Sequence, residues 1–252
     1  MGLLINLALL LIGFVFLIKG ADIFVDGASD TARKFRVPKM LIGLTIVSFG
    51  TSAPELAVSI QSILSGKGDI LLGNVVGSNV LNILLILGVA SLVGTLRVNT
   101  ATVKKEIPVL VLITLAFAAL LSDKIFGLAE NIFTRQDGVV LLLFFCIFIY
   151  YLIGMARKKD TNEEENKDEK PVKLVKALLM IVIGLFGIVL GSDFVVKGAS
   201  EIAATFGVSQ RIISLTIVAL GTSLPELVTS VIATKKGEYD IAIGNIVGSN
   251  IF

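Results

Sequence analysis

Gly50-Thr51-Ser52-Ala53-Pro54-Glu55-Leu56 and Gly221-Thr222-Ser223-Leu224-Pro225-Glu226-Leu227 decide how this chain is read. Each lies in the middle of an apolar segment long enough to cross a bilayer, and each puts a carboxylate directly after a proline. A charge at bilayer depth costs at least ~2.5 kcal/mol on insertion scales, so an intramembrane glutamate is a functional hypothesis by default. Two of them in matching contexts strengthen that reading.

Working outward, the two stretches belong to a longer duplication. Matched residues differ by 171 without a gap: Gly20 and Gly191, Asp22 and Asp193, Gly27 and Gly198, Glu55 and Glu226, Asn79 and Asn250. More than half the positions of Leu44–Asn79 are identical to those of Leu215–Asn250, far beyond what shared hydrophobicity yields. The composition agrees with a membrane setting: 55% hydrophobic, 17% charged, mean hydropathy +0.92. Apolar runs of about 17 residues or more recur along the chain, each able to span the hydrocarbon core as a helix. The fold class is an all-α polytopic membrane protein whose environment is the lipid bilayer.

Several function classes fall away. The net charge of +2 says little, because the position of the charges matters more than their sum. Basic residues sit at segment ends without aromatic interleaving, so we expect no nucleic-acid partner. With no histidine and one cysteine, the usual zinc and haem ligand sets and any internal disulfide are excluded. Cys146, inside the apolar run Leu141 to Ile153, is expected to be a buried small hydrophobe. Leu3 to Ile18 lacks the basic start and small-residue cleavage site of a signal peptide, so it is read as the first span.

Segments one to five are placed at about Leu3–Phe24, Pro38–Leu64, Ile70–Leu96, Ile107–Leu121 and Gly138–Met155. An amphipathic stretch, Gly27 to Phe35, follows the first. Segments four and five carry no ionisable residue in their apolar bodies and are assigned scaffold roles. Residues 157–173 are too polar to bury a core and read as a solvated linker. Its acidic triplet Glu163 to Glu165 lacks the alternating ligands and central glycine of an EF-hand loop. Segments six, seven and eight follow at about Leu174–Val196, Ile212–Thr234 and from Ile241. The organisation is therefore a first five-helix repeat over 1–156, the linker, and a second repeat over 174–252. The second copy stops where the first continues for three helices, so the reading is of a truncated repeat, or one that another chain completes.

An odd number of spans per repeat makes the second copy enter the membrane from the opposite side. The halves should then be inverted-topology repeats sharing a site near the midplane. Most Lys and Arg fall in the connections after segments one, three, five and seven, which places those connections and the linker in the cytoplasm and the N-terminus outside. The membrane is expected to be the cell (inner) membrane.

Proline supplies the chemistry. Pro54 has no N–H, so the Gly50 carbonyl loses its helical partner, and Pro225 does the same to Gly221. In lipid a broken helix persists only where something else satisfies the backbone, and a dehydrated cation does so. The freed carbonyls, the hydroxyls of Thr51, Ser52, Thr222 and Ser223, and the carboxylates of Glu55 and Glu226 make an all-oxygen cage. That set suits hard cations such as Ca²⁺, which take 6–8 oxygens at roughly 2.3–2.6 Å. Two carboxylates offset one divalent ion or several monovalent ones, which permits competition between Ca²⁺ and Na⁺. Gly73, Gly77, Gly244 and Gly248 are explained by close helix packing alone. Asn74, Ser78, Asn79, Asn82, Asn245, Ser249 and Asn250 are not, and should point into the bundle. The bland alternative, glutamates paired with basic partners to tie helices together, is disfavoured because no Lys or Arg lies near either Glu in its broken helix.

Gly-Thr-Ser-x-Pro-Glu followed by Gly-Asn-x-Val-Gly-Ser-Asn, duplicated, resembles the two α-repeats of the sodium/calcium exchanger family of calcium/cation antiporters in its short prokaryotic form. The resemblance covers essentially the whole chain. It implies ten helices, a central diamond of ion sites, and alternating access by sliding of the first and sixth helices. On matched positions it makes Glu55 and Glu226 the principal Ca²⁺ ligands, serving Na⁺ as well. Thr51, Ser52, Thr222 and Ser223 would complete the calcium and flanking sodium sites with the carbonyls of Ser48 and Ala219. Ser78, Asn82 and Ser249 would line the remaining positions. The counterpart of Asn82 would be the residue after Phe252, and a chain without it should not transport normally alone.

The expected function is secondary active Na⁺/Ca²⁺ exchange, with Ca²⁺ and Na⁺ as transported ions, no prosthetic group and no enzymatic activity. A Ca²⁺/H⁺ or K⁺-assisted exchanger is the near alternative, since carboxylates also take protons. A cation channel and a transport-dead ion-binding fragment or subunit are the more distant ones.

Overall fold

The computed structural model describes residues 2–66, 68–126, 132–157 and 173–252, so most of the charged linker, with its acidic triplet, lies outside the described residues. The described residues are arranged here in eleven helices, besides a short turn at Asp123–Phe126. Helix α1 spans Leu3–Phe35 and α2 runs from Lys39 to Thr51, followed by α3 at Ala53–Leu64. Helix α4 covers Ile70–Val93, the short α5 Thr100–Lys104, α6 Glu106–Leu120 and α7 Arg135–Ala156. Helix α8 covers Leu174–Thr205. Helix α9 is built of Gln210–Ile213, Ser214–Val218 and Ala219–Thr222, and α10 (Leu224–Lys235) and α11 (Tyr239–Ile251) follow. Among the described residues four helices are long and apolar enough to span a membrane, or six if each bent pair counts as one span. The amphipathic stretch after segment one is not separate: it continues α1 without a break.

Local chemistry sets the ends and bends. Thr134 caps α7, exchanging side-chain and backbone hydrogen bonds with Asp137 in a capping box. Pro54 and Pro225 stand in the first turns of α3 and α10, a position that tolerates the missing N–H. The chain accordingly bends by 50° between α2 and α3 and by 52° between α9 and α10. One turn before each break the helix widens into a π turn, at Gly43–Val47 and Ser214–Val218. A third π turn, Asn82–Ile86, begins at Asn82 in α4. Such single-turn insertions concentrate at functional sites. Left-handed residues also come in pairs 171 apart, Arg36 with Gly207 and Gly66 with Gly237.

Helices α1 and α8 pack antiparallel along their lengths. A Cβ at Gly13 would lie 2.9 Å from the Gly191 carbonyl, one at Gly20 2.8 Å from the Gly184 carbonyl, and one at Gly198 2.8 Å from the Asn6 carbonyl. Glycine at seven-residue intervals lets the two backbones touch directly. Phe24, Val25 and Ala28 of α1 share a core with Ile181 and Ile188 of α8, Val47 of α2 and Ile241 of α11. A second core joins Met40 and Leu44 of α2 to Leu110 of α6, Phe148 of α7 and Val247 of α11.

The scaffold departs from expectation in three places. Cys146 is exposed, because its apolar neighbours on α7 form the outer surface of the bundle and only Phe148 and Leu152 turn inward. Exposed Leu142, Leu143 and Ile147 share that surface, which suits lipid contact. Helix α6 opens on a buried glutamate, Glu106, which accepts a hydrogen bond from the Tyr151 hydroxyl and ties α6 to α7. The glycines of the two Gly-Asn-x-Val-Gly-Ser-Asn stretches are unequal. Gly244 and Gly248 press on Gly43, Leu44 and Ser48 of α2, whereas Cβ atoms at Gly73 and Gly77 would meet nothing within 4 Å among the described residues.

Near the end of α1 the bundle is clasped by charge. Lys236 reaches Asp22 and Asp26 at 2.8 and 2.6 Å, while Glu238 takes Ser29 at 2.9 Å and Lys39 at 3.0 Å. The 171 offset places serine at 65 opposite Lys236, and Asp193 pairs instead with Lys197 of its own helix.

Candidate functional site

The two breaks meet, and each motif hydrogen-bonds the acid of the other. Ser52 donates to Glu226 Oε1 at 2.8 Å, and Ser223 donates to Glu55 Oε1 at 3.1 Å. Both acids are buried, Glu226 to 1% exposure and Glu55 to 9%. The remaining oxygen of each, Oε2, is buried without a hydrogen-bond partner. Among the described residues neither carboxylate has an ion pair with Lys or Arg. A buried charge left this way is costly unless a cation or a proton takes the place of the missing donor.

Around this pair the other oxygens gather unevenly. The hydroxyls of Ser52 and Ser249 lie 2.9 Å apart, which brings α11 to the Glu226 side. Thr51 is fully buried and donates to Asn245 Oδ1 at 2.9 Å, so its lone pairs are left for another partner. Asn82 donates to Asn250 Oδ1 at 2.8 Å, and its own Oδ1 is buried and unpartnered. These residues converge from α2, α3, α4, α10 and α11 and from the two breaks, α2–α3 and α9–α10.

Other predicted ligands are held less closely. Thr222 stands beside the Glu55 carboxylate but also bonds the Ala219 carbonyl of its own helix at 3.1 Å, and Ala219 itself is exposed. Ser78 bonds the Val75 carbonyl on α4 at 3.1 Å. The Ser48 carbonyl already accepts from the Ser52 amide at 3.0 Å. The two orphan carbonyls also differ from the expectation of a shared role: Ser192 on α8 donates to the Gly221 carbonyl at 2.7 Å.

Two asparagines have a part that spacing alone did not assign. Asn245 donates to the Glu226 carbonyl at 3.4 Å and to Ser230 at 3.0 Å; Asn74 makes the matching bonds, to the Glu55 carbonyl and to Ser59, both at 3.2 Å. Each braces the first turn of the helix that carries an acid. The signal was present in the sequence, since both asparagines and both serines repeat at the offset of 171. A cavity of about 120 Å³ lined by Leu81, Leu85, Leu220 and Leu227 touches the site only at Ser223. A larger opening of about 390 Å³, beside Lys39, Arg97 and Glu238, lies away from the glutamates.

Two buried acids meet at the junction of two bent helices inside a multi-pass membrane bundle, an arrangement whose oxygens suit a cation. The sequence matches the family described as sodium/calcium exchanger protein over residues 5–154 and 176–252, and the chain belongs to that family. It is 40% identical to the putative antiporter CaxA of Alkalimonas amylolytica, over 96% of this chain and 75% of that protein. To the sodium/calcium exchanger MaX1 of Methanosarcina acetivorans it is 31% identical, over 98% of this chain and 79% of that one. Its structure superposes on the sodium-calcium exchanger NCX_Mj soaked with 10 mM Na⁺ and zero Ca²⁺ with a TM-score of 0.83. That pair is 33% identical over 99% of this chain and 79% of the other. The family is one of transporters, and its cargo is Na⁺ and Ca²⁺.

Proposed function

We propose that this chain exchanges Na⁺ for Ca²⁺ across the cell membrane by alternating access, at a site between Glu55 and Glu226. One observation carries the proposal: each acid has one oxygen held by the serine of the opposite motif and one buried oxygen with no partner in the protein. Such oxygens suit a hard cation that has shed its water. Thr51, Ser52, Ser223, Ser249 and Asn82 supply neutral oxygens around them, with Thr222, Ser78 and the Ser48 and Ala219 carbonyls joining as the site changes shape. One Ca²⁺ or several Na⁺ would balance the same two charges, so loading one ion excludes the other.

The two copies act as inverted repeats over 1–156 and 174–252, with α1 and α8 as the moving pair. Their antiparallel packing supports this, because the same element then runs in opposite directions in the two copies. The N-terminus faces outward from the inner membrane and the 157–173 linker lies on its cytoplasmic side. The test is ⁴⁵Ca²⁺ uptake into sodium-loaded vesicles carrying the full chain. Uptake that collapses with the sodium gradient is expected. Uptake driven equally by a pH gradient, or indifferent to both, would remove Na⁺ coupling.

A further inference from the structure

Pro225 strips the Gly221 carbonyl of its helical donor, and the structure returns one from another helix. Ser192 Oγ lies 2.7 Å from that carbonyl, and Ser192 is 5% exposed. Helix α8 is seated so closely there that a Cβ on Gly221 would stand 2.1 Å from Val196 Cγ2. The other motif is looser: a Cβ on Gly50 would meet Leu185 and Phe24 at 3.3–3.4 Å. Residue 21, which the 171 offset sets opposite Ser192, is alanine and has no hydroxyl to give.

We propose that Ser192 is a positioning residue that keys α8 to α9 through the Gly221 carbonyl and so favours one of the two access states. The bond spans a moving helix and a helix of the ion site, so sliding must break it. In the state obtained by exchanging the roles of the halves, α1 would stand over Gly50, and Ala21 could not make the equivalent bond. The two states are thus unequal by one buried hydrogen bond, worth about three- to tenfold in their populations. The argument rests on the exchanger reading for its consequence, though not for the bond itself.

The test uses the full chain, Ser192→Ala, Ser192→Thr and Ala21→Ser. Apparent KM for Ca²⁺ is measured in right-side-out and inside-out vesicles, and amide hydrogen exchange over residues 219–224 is followed in detergent. Expected for Ser192→Ala is a three- to tenfold change in the ratio of the two KM values, with faster exchange at the break. Ser192→Thr should restore both, and Ala21→Ser should move the ratio the other way. An unchanged ratio in Ser192→Ala, or a threonine variant that behaves like the alanine one, overturns the proposal. If the unmodified chain moves no Ca²⁺, the exchanger reading fails and hydrogen exchange alone decides: protection at 219–224 that is unaffected by Ser192→Ala overturns the keying role, and faster exchange upholds it.

Discussion

Ser52 of the first motif donates to Glu226 of the second at 2.8 Å, and the reciprocal bond, Ser223 to Glu55, is 3.1 Å long. The two halves of the chain therefore complete each other's acid rather than their own. Damage to either motif reaches both carboxylates, and a cation held between them is shared by construction.

Replacing Glu55 or Glu226 by glutamine keeps the shape and removes one charge from the pair. Each variant should lose Ca²⁺ exchange by at least about 100-fold, since breaking a buried charge pairing costs about 3–5 kcal/mol. Folding should survive, because glutamine can still accept from the opposing serine. Added Ca²⁺ at 100 times its Kd should stabilise the unmodified chain by about 2.7 kcal/mol, and this shift should vanish in both variants. Thermal unfolding in detergent, with and without Ca²⁺, reads the difference.

Asn245 and Asn74 brace the two acid-bearing helices, but only Asn245 also holds the hydroxyl of the opposite threonine, Thr51. Asn245→Ala should cost about 1–3 kcal/mol, the range for leaving buried polar groups unpaired. Asn74→Ala, at a half-buried position, should cost less. Unfolding midpoints of the two variants measured side by side give the order, and equal losses would contradict it.

Alanine at Gly244 would place its methyl 2.9 Å from Gly43 Cα, with backbone that cannot yield. We expect a loss of about 1–3 kcal/mol there, and little change for alanine at Gly73, where the space is open. Yield of monodisperse protein and its melting temperature should separate the two variants, although the sequence around them is nearly the same.

Lys236 offers a pH test outside the spanning segments. Burial disfavours its ammonium, but hydrogen bonds and charge from Asp22 and Asp26 outweigh burial and raise its pKa above the ordinary 10.5. A raised amine pKa stabilises the fold fully below the unfolded value and loses that contribution as pH climbs through the folded one. The clasp should hold at neutral pH and weaken only above about 10.5. With the aspartates half exposed, Lys236→Met should cost no more than about 1 kcal/mol at pH 7. The deficit should shrink toward zero at high pH, as denaturation curves at pH 7 and 11 would record.

What the sequence disclosed was whatever one residue carries by itself. Proline and glutamate at bilayer depth have penalties large enough to announce both breaks, and the uninterrupted offset of 171 exposed the duplication. What stayed hidden depends on which helix stands beside which. Gly73 and Gly244 have similar neighbours in sequence, yet only Gly244 meets another backbone. Ser192 reads as an ordinary small residue of an apolar helix until α8 is laid against Gly221. Cys146 looked interior because its run is apolar, but in lipid an apolar run has no inside that hydropathy alone can identify.

Glycines spaced by sevens line the contact between α1 and α8. Their intervals are about 10 Å along each axis, and at each one main chain rests on main chain with no side chain between. A joint of that kind leaves no slack: neither rod can travel alone without dragging its mate. If the chain works by the exchange proposed above, whatever shuts one mouth would, through the same rigid strut, reach the opposite mouth, and a leak would require the strut itself to come apart.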